Sequence, residues 1–105
     1  MNVKTLILLT FIGLSGSLLA QSKFIKEANS KFYNENYCEG AEKCALAYTK
    51  IARKGNAALK VKGDMAFKTA ECHRLTENFK EANEWYEKAI VEISANRAIG
   101  IVVQR

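Results

Sequence analysis

The strongest constraint on the fold is a pattern that occurs twice in the chain, 42 positions apart. Glu35-Asn36-Tyr37 aligns at this offset with Glu77-Asn78-Phe79, and apolar residues around both motifs recur every three or four positions, as on one face of an α-helix. The other matches pair like with like: Ala28 with Ala70, Ala47 with Ala89, and Ile51 with Ile93. Two similar helical hairpins in tandem are typical of a helical repeat protein.

Four helices follow from this spacing, and the complete absence of proline also favours an all-α chain over a loop-rich β-sandwich. Polar breaks separate the two helices within each hairpin, and Gly55 is expected to end the second helix. The predicted helices run from Lys23 to the break at Asn34–Asn36, from about Cys38 to Arg53, from about Ala58 or Lys62 to Leu75, and from the break at Thr76–Asn78 onward.

The second hairpin resembles the tetratricopeptide repeat in its order of small and large residues, which are Ala66, Thr69, Ala70, His73, Phe79, Ala82, Tyr86 and Ala89. The resemblance implies a short α-solenoid of two antiparallel helix pairs, at about 22–54 and 58–94, which together form a repeat region over 22–94. Its small residues would let the helices approach closely, with Phe79 and Tyr86 filling the surrounding space. Ser94 stands where the repeat usually has proline, and Glu27 and Lys31 occupy expected apolar positions.

A more specific resemblance rests on Lys62–Leu75, Asn78-Phe79 and Trp85–Ala89. These segments are similar to the N-terminal tetratricopeptide segment of Bacteroidetes OmpA-family envelope proteins, some of which belong to the type IX secretion and gliding machinery. The resemblance implies a place in the periplasm or at the periphery of the outer membrane. The β-propeller and the peptidoglycan-binding domain of that family have no counterpart in these 105 residues, which suggests a truncated form.

Residues 1–20 have the three-part pattern of a secretory signal peptide. Lys4 precedes the apolar run Leu6–Leu14, small residues follow it, and cleavage is expected after Ala20. The alternative, a permanent membrane anchor, needs about 20 apolar residues. Loss of Lys4 lowers the net charge from +5 to +4, and the remaining charges are dispersed. We therefore expect no nucleic-acid partner, and membrane association only through partners.

The densest group of basic residues surrounds the connection between the hairpins and is interpreted as solvated surface, with a binding patch for an anionic ligand as the alternative. It comprises Lys50, Arg53, Lys54, Lys60 and Lys62.

An exported protein can keep disulfide bonds, so its three cysteines matter. Cys38 and Cys44 are six positions apart on one predicted helix and point in different directions. Cys44 and Cys72 lie on adjacent hairpins, near the side where these meet, and are the candidate disulfide pair. The alternative is that all three remain reduced and pack as small apolar residues.

The sequence offers little catalytic chemistry. Cys72 and His73 are neighbours on a helix, so their side chains point about 100 degrees apart and cannot activate each other directly. There is no Cys-x-x-Cys or His-x-x-x-His spacing for zinc and no glycine-rich phosphate loop. We expect a non-enzymatic protein without metal or cofactor, with an enzyme that depends on Cys72 or His73 as the alternative.

Recognition of another protein is the function that remains. The first helices of stacked hairpins line a concave surface, which commonly accepts an extended peptide or a partner protein. The candidate partner-binding residues there are Ile25, Asn29, Asp64, Phe67, Glu71 and Arg74. The partner is expected to be another envelope protein or a peptide. The alternative interpretation is that Phe67 is ordinary packing and that the charged residues simply face solvent.

The last stretch, residues 95–105, does not continue the repeat recognisably and is rich in β-branched residues. About three repeats are usually needed to bury a continuous core. The chain is therefore expected to be a fragment altered after about Ile93, whose open last helix is covered by a partner or by self-association. A remnant without a function of its own is the further alternative.

Overall fold

The computed structural model describes the backbone of residues 21–104 and the side chains of residues 21–95. This part of the chain is all-α, as predicted, and contains no strand. Helix α1 covers residues 21–33, and α2, α3 and α4 cover Tyr37–Lys50, Gly55–Leu75 and Phe79–Gln104. The predicted signal peptide, residues 1–20, lies outside the described residues. None of the described helices is both long enough and apolar enough to cross a membrane.

Both hairpins turn in the same way. Glu35 and Glu77, which correspond at the 42-residue offset, have left-handed backbones with φ of 63° and 66°. The backbone N–H of Asn36 donates to the carbonyl oxygen of Lys31 at 2.9 Å, and the equivalent bond in the second hairpin is 2.7 Å long. This is the Schellman arrangement, which satisfies carbonyl groups at the end of a helix. The repeat in sequence is therefore also a repeat in backbone geometry.

Replacing Glu77 with glycine is expected to raise the free energy of unfolding by about 1 kcal/mol, because glycine adopts a left-handed φ without a Cβ clash. For a domain of this size the melting temperature should rise by about 4–8 °C, as followed by circular dichroism. Glu77→Ala is the matched control, since it removes the carboxylate but keeps the Cβ. A rise of the same size in Glu77→Ala would attribute the effect to charge and contradict the backbone explanation.

The connection between the hairpins differs from the prediction. Helix α2 ends at Lys50, and Ile51 is already extended, with φ of −87° and ψ of 120°. This early exit lets the Ile51 side chain enter the core, where it is only 6% exposed. Gly55 does not end α2 but is the first residue of α3, with φ of 82°. Helix α3 therefore begins earlier than the predicted Ala58 or Lys62, and it ends at Leu75 as predicted.

Helix α4 also extends beyond the predicted repeat. It continues past Ser94 to Gln104, so the backbone of residues 95–104, whose structure the sequence pattern left undetermined, is helical. No proline interrupts this segment. Its β-branched residues lower helix propensity only slightly, so they are compatible with a continuing helix.

The core joins the first hairpin to α3. Its buried residues come from all three helices and the linker, and they are Ala28, Cys44, Ala47, Ile51 and Met65. Within the second hairpin, α3 and α4 meet through small buried residues, namely Ala66, Ala70, Ala82 and Ala89. These short side chains permit the close helix packing that the repeat pattern predicted. Phe79 does not fill that space as expected, because it begins α4 at the surface and is 60% exposed.

Candidate functional site

Four of the six predicted binding residues lie together on the outer side of α3. Asp64, Phe67, Glu71 and Arg74 follow one another at steps of three and four, which places them on one side of the helix. Asp64 and Arg74 are exposed, Glu71 is half-buried, and Phe67 is 47% exposed. We call these four residues the α3 face. A large aromatic ring thus stands among charged groups on the surface.

Contacts with α4 hold the α3 face in place. Arg74 Nη2 donates to Glu71 Oε2 at 2.7 Å, and the Tyr86 hydroxyl donates to Glu71 Oε1. Hydrogen bonds from Arg74 and Tyr86 lower the pKa of Glu71, so its carboxylate is ionised at neutral pH. The Tyr86 ring also lies against Phe67, with 6.0 Å between the ring centroids. Phe67 therefore has a defined orientation before any partner arrives.

A buried lysine connects α3 to α1 beside this face. The Lys68 ammonium lies 2.9 Å from Asp64 Oδ2 and donates to Asn29 Oδ1 at 2.7 Å. Its nitrogen also lies 4.8 Å from the centre of the Tyr33 ring. Burial disfavours the charged form of Lys68, but hydrogen bonds to Asp64 and Tyr33 outweigh that effect and raise its pKa. Asn29 is thus engaged within the chain, where it joins the two hairpins.

Ile25, the sixth predicted binding residue, contributes to packing. It is half-buried against the core cluster, and with Ile51, Ala58 and Val61 it lines a groove of about 450 Å³ near the linker. The structure thus divides the predicted set, because the α3 residues form one exposed face while Asn29 and Ile25 serve the contact between α1 and α3.

A second charged cluster lies where the hairpins meet and was not predicted. Glu92 on α4 is only 2% exposed, and it accepts hydrogen bonds from the Tyr48 hydroxyl at 3.2 Å and from Arg53 Nε at 3.1 Å. Lys62 is also buried, donates to the backbone carbonyl of Tyr48, and places its nitrogen 3.8 Å from the centre of the Tyr48 ring. Burial lowers the pKa of Lys62.

The interpretation of Lys62 as solvated surface was therefore wrong. The helical register could have indicated the buried charges, because Lys62 shares a stripe with Leu59, Ala66 and Thr69, and Glu92 shares one with Trp85 and Ala89.

The three cysteines are free thiols in the structure. Cys44 and Cys72 are fully buried and lie against each other across α2 and α3, and Cys38 is exposed. The hydrogen bond with Cys72, together with burial, raises the pKa of Cys44, so its thiol is protonated at neutral pH. The two thiols face each other as the candidate pairing requires, and their oxidation to a disulfide stays a prediction.

His73 lies in a different environment from Cys72. It lines a pocket of about 400 Å³ that also includes Cys38, Glu42, Thr76 and Asn78. Its Nδ1 atom is buried and has no hydrogen-bond partner among the described residues. Within the part of the chain that the structure describes, no group of three or more His, Cys, Asp or Glu residues is arranged to hold a metal ion. An enzyme that depends on Cys72 or His73, the alternative considered above, would have to use a thiol that is fully buried or an imidazole that lines a different site.

Comparison of the chain with family models, curated proteins and solved structures finds no match. The function of the α3 face is therefore inferred from its geometry.

Proposed function

We propose that this chain is an exported, tetratricopeptide-like scaffold of the bacterial cell envelope that binds another envelope protein or a peptide through the α3 face. The observation that carries the proposal is Phe67, an aromatic side chain that is 47% exposed and is oriented by its contact with Tyr86. A few residues supply most of the binding energy in protein interfaces, and aromatic and arginine side chains are enriched there. A partner that covered Phe67 and the neighbouring Arg74 would bury such a pair together.

The arrangement of charges supports recognition over nonspecific adhesion. Asp64 and Arg74 lie on either side of Phe67 along α3 and have opposite charges. Both take part in ion pairs within the chain, at 2.9 Å to Lys68 and 2.7 Å to Glu71. Side chains held in this way lose less conformational entropy when a partner binds. The α3 face therefore offers an apolar centre with a fixed polar rim.

The envelope location and the link to type IX secretion or to a peptidoglycan-associated OmpA-like protein belong to the same proposal. They rest on the leader-like residues 1–20 and on the similarity of Lys62–Leu75 and Trp85–Ala89 to the family named above. The repeated hairpin turn at Glu35 and Glu77 supports a helical repeat architecture. Periplasmic fractionation of cells that express the full chain, followed by N-terminal sequencing, tests export and cleavage after Ala20.

Phe67→Asp and Arg74→Glu are each expected to weaken partner capture at least tenfold, because the first puts a charge at the apolar centre of the face and the second reverses a charge on its rim. Capture is measured by placing a photo-crosslinking residue at Leu75, beside the face, and quantifying the crosslinked product in intact cells. Helicity by circular dichroism should not change, since both side chains are exposed.

Val91→Asp provides the matched control, because Val91 is 56% exposed but lies on α4 away from the α3 face. Capture that survives both α3 substitutions, or that falls equally in the Val91 variant, would reject the α3 face as the binding site.

A further inference from the structure

Helix α4 carries an exposed apolar stripe at the end of the second hairpin. At about 100 degrees per residue, Phe79, Tyr86, Ile90 and Ile93 lie within about 60 degrees of one another around the helix. Ile90 is 61% exposed, Phe79 and Ile93 are also exposed, and Tyr86 is half-buried. We call these four residues the end stripe. The end stripe lies on the second hairpin, on the side of α4 that faces away from the first hairpin.

The first hairpin has the same stripe, and there it is covered. At the 42-residue offset, Tyr86, Ile90 and Ile93 correspond to Cys44, Tyr48 and Ile51 of the first hairpin. Helix α3 contacts all three of those residues, and Trp85 of α4 also lies edge-on against Tyr48, with 5.2 Å between the ring centroids. Cys72 meets Cys44, Lys62 places its nitrogen 3.8 Å from the centre of the Tyr48 ring, and Met65 lies in one buried cluster with Ile51. This chain therefore shows what kind of element covers such a stripe, namely an amphipathic helix.

A second copy stacked head to tail would not supply that helix. It would present its own α1, on which Lys23, Glu27 and Ser30 occupy the positions that correspond to Met65, Thr69 and Cys72 of α3. The three α3 residues are buried against their neighbours, whereas Lys23 and Ser30 are exposed and Glu27 pairs with Lys43 at 3.6 Å. A polar stripe of this kind cannot cover Ile90 and Ile93 as α3 covers the first hairpin.

We propose that the end stripe docks an amphipathic helix from a partner protein, in the orientation that α3 has on the first hairpin. The docked helix carries an apolar residue where α3 has Lys62. The reason is that Ile90 stands in place of Tyr48, whose ring and backbone carbonyl hold the Lys62 ammonium. An isoleucine side chain offers no such partner for a buried charge. The end stripe borders the α3 face, because Tyr86 belongs to the stripe and also contacts Phe67 and Glu71. The inference rests on Ile90 and Ile93, which are not part of the α3 face, and does not require the α3 face to bind a partner.

The first test uses a labelled synthetic peptide with the sequence of Gly55–Leu75 and the substitution Lys62→Leu. Fluorescence anisotropy should show saturable binding to the full chain. Ile90→Lys should weaken that binding at least tenfold, because it places a charge in the middle of the end stripe. Val91→Lys should leave the affinity within about twofold, since Val91 is about 100 degrees further round the helix and similarly exposed.

A second test examines the assigned orientation. The unsubstituted peptide, which keeps Lys62, should bind the unaltered chain at least fivefold more weakly than the Lys62→Leu peptide. Ile90→Tyr should reverse that preference, because it restores the ring on which an ammonium can lie. An unchanged preference in Ile90→Tyr would overturn the orientation.

Three other results would overturn the proposal as a whole. These are no peptide binding, equal loss of binding in the Ile90 and Val91 variants, and a homodimer in analytical ultracentrifugation that dissociates in Ile90→Lys. The last result would assign the end stripe to a second copy of the chain.

Discussion

Glu92→Ala should lower the free energy of unfolding by about 2–3 kcal/mol, because it removes a buried carboxylate that accepts two hydrogen bonds. Glu92 is 2% exposed and accepts hydrogen bonds from Tyr48 and Arg53. Its removal leaves the Tyr48 hydroxyl without its acceptor and leaves the ammonium of Lys62 buried without a nearby negative charge. Urea unfolding followed by circular dichroism measures the loss.

Two further variants separate the causes of this loss. Glu92→Gln keeps the size of the side chain and an acceptor for Tyr48, so it should lose about half as much. Arg53→Ala should lose at most about 1 kcal/mol, because the Arg53 side chain is half-exposed and solvent screens its ion pair with Glu92. A Glu92→Ala variant as stable as the unaltered chain would show that the cluster does not stabilise the contact between the hairpins.

The cluster also connects the two hairpins. Tyr48 belongs to α2, Arg53 to the linker, Lys62 to α3 and Glu92 to α4, so the hydrogen bonds cross from the first hairpin to the second. Two repeats bury little apolar surface between them. Polar contacts that require one relative position of the hairpins add specificity to that small core. The α3 face is tied to the first hairpin in the same way, through the hydrogen bond from Lys68 to Asn29.

Much of the fold was predictable because local chemistry determines it. The polar breaks before Tyr37 and Phe79 indicated the two turns, and the spacing of small residues indicated the close contact of α3 with α4. The linker was not predictable in the same way. Gly55 has the conformational freedom of a helix-ending residue, but α2 already ends at Lys50, three residues before the predicted end at Arg53, and Ile51 is buried. A contact distant in sequence decided that boundary.

The candidate site was also predictable only in part, from local spacing but not from contacts distant in sequence. The spacing of Asp64, Phe67, Glu71 and Arg74 was enough to place them on one side of α3. Asn29, by contrast, is held by the buried Lys68 side chain, a contact distant in sequence that local spacing does not indicate. The sequence repeat suggests that the two hairpins have equivalent surroundings, and in this respect it was misleading. Helix α3 covers the first hairpin, and the described residues place no helix in the equivalent position on the second.

Gly40→Leu should destabilise the chain by about 3 kcal/mol or more, because Gly40 on α2 packs closely against both α1 and α3. A Cβ atom at Gly40 would lie 3.0 Å from Cys72 Sγ on α3 and 3.8 Å from the backbone nitrogen of Phe32 on α1. The rest of a leucine side chain would have to displace one of these helices. Thermal unfolding followed by circular dichroism measures the effect.

Gly63 provides a control of opposite sign. A Cβ atom there would meet Glu92 and Ile93 at ordinary contact distances of 3.5 and 3.6 Å. Gly63→Ala should therefore stabilise α3 by up to about 1 kcal/mol through helix propensity alone.

A double-mutant cycle tests whether the Cys72 thiol is the cause of the crowding at Gly40. Gly40→Ala alone should be close to neutral, because the gain in helix propensity is offset by the 3.0 Å contact with Cys72 Sγ. In a Cys72→Ala background the same substitution should become stabilising by about 1 kcal/mol, which gives a coupling energy of that size. Independent, additive effects would place the crowding in the backbone of α1. In that case Gly40 would set the approach of α1 to α2, and the position of α3 would follow from other contacts.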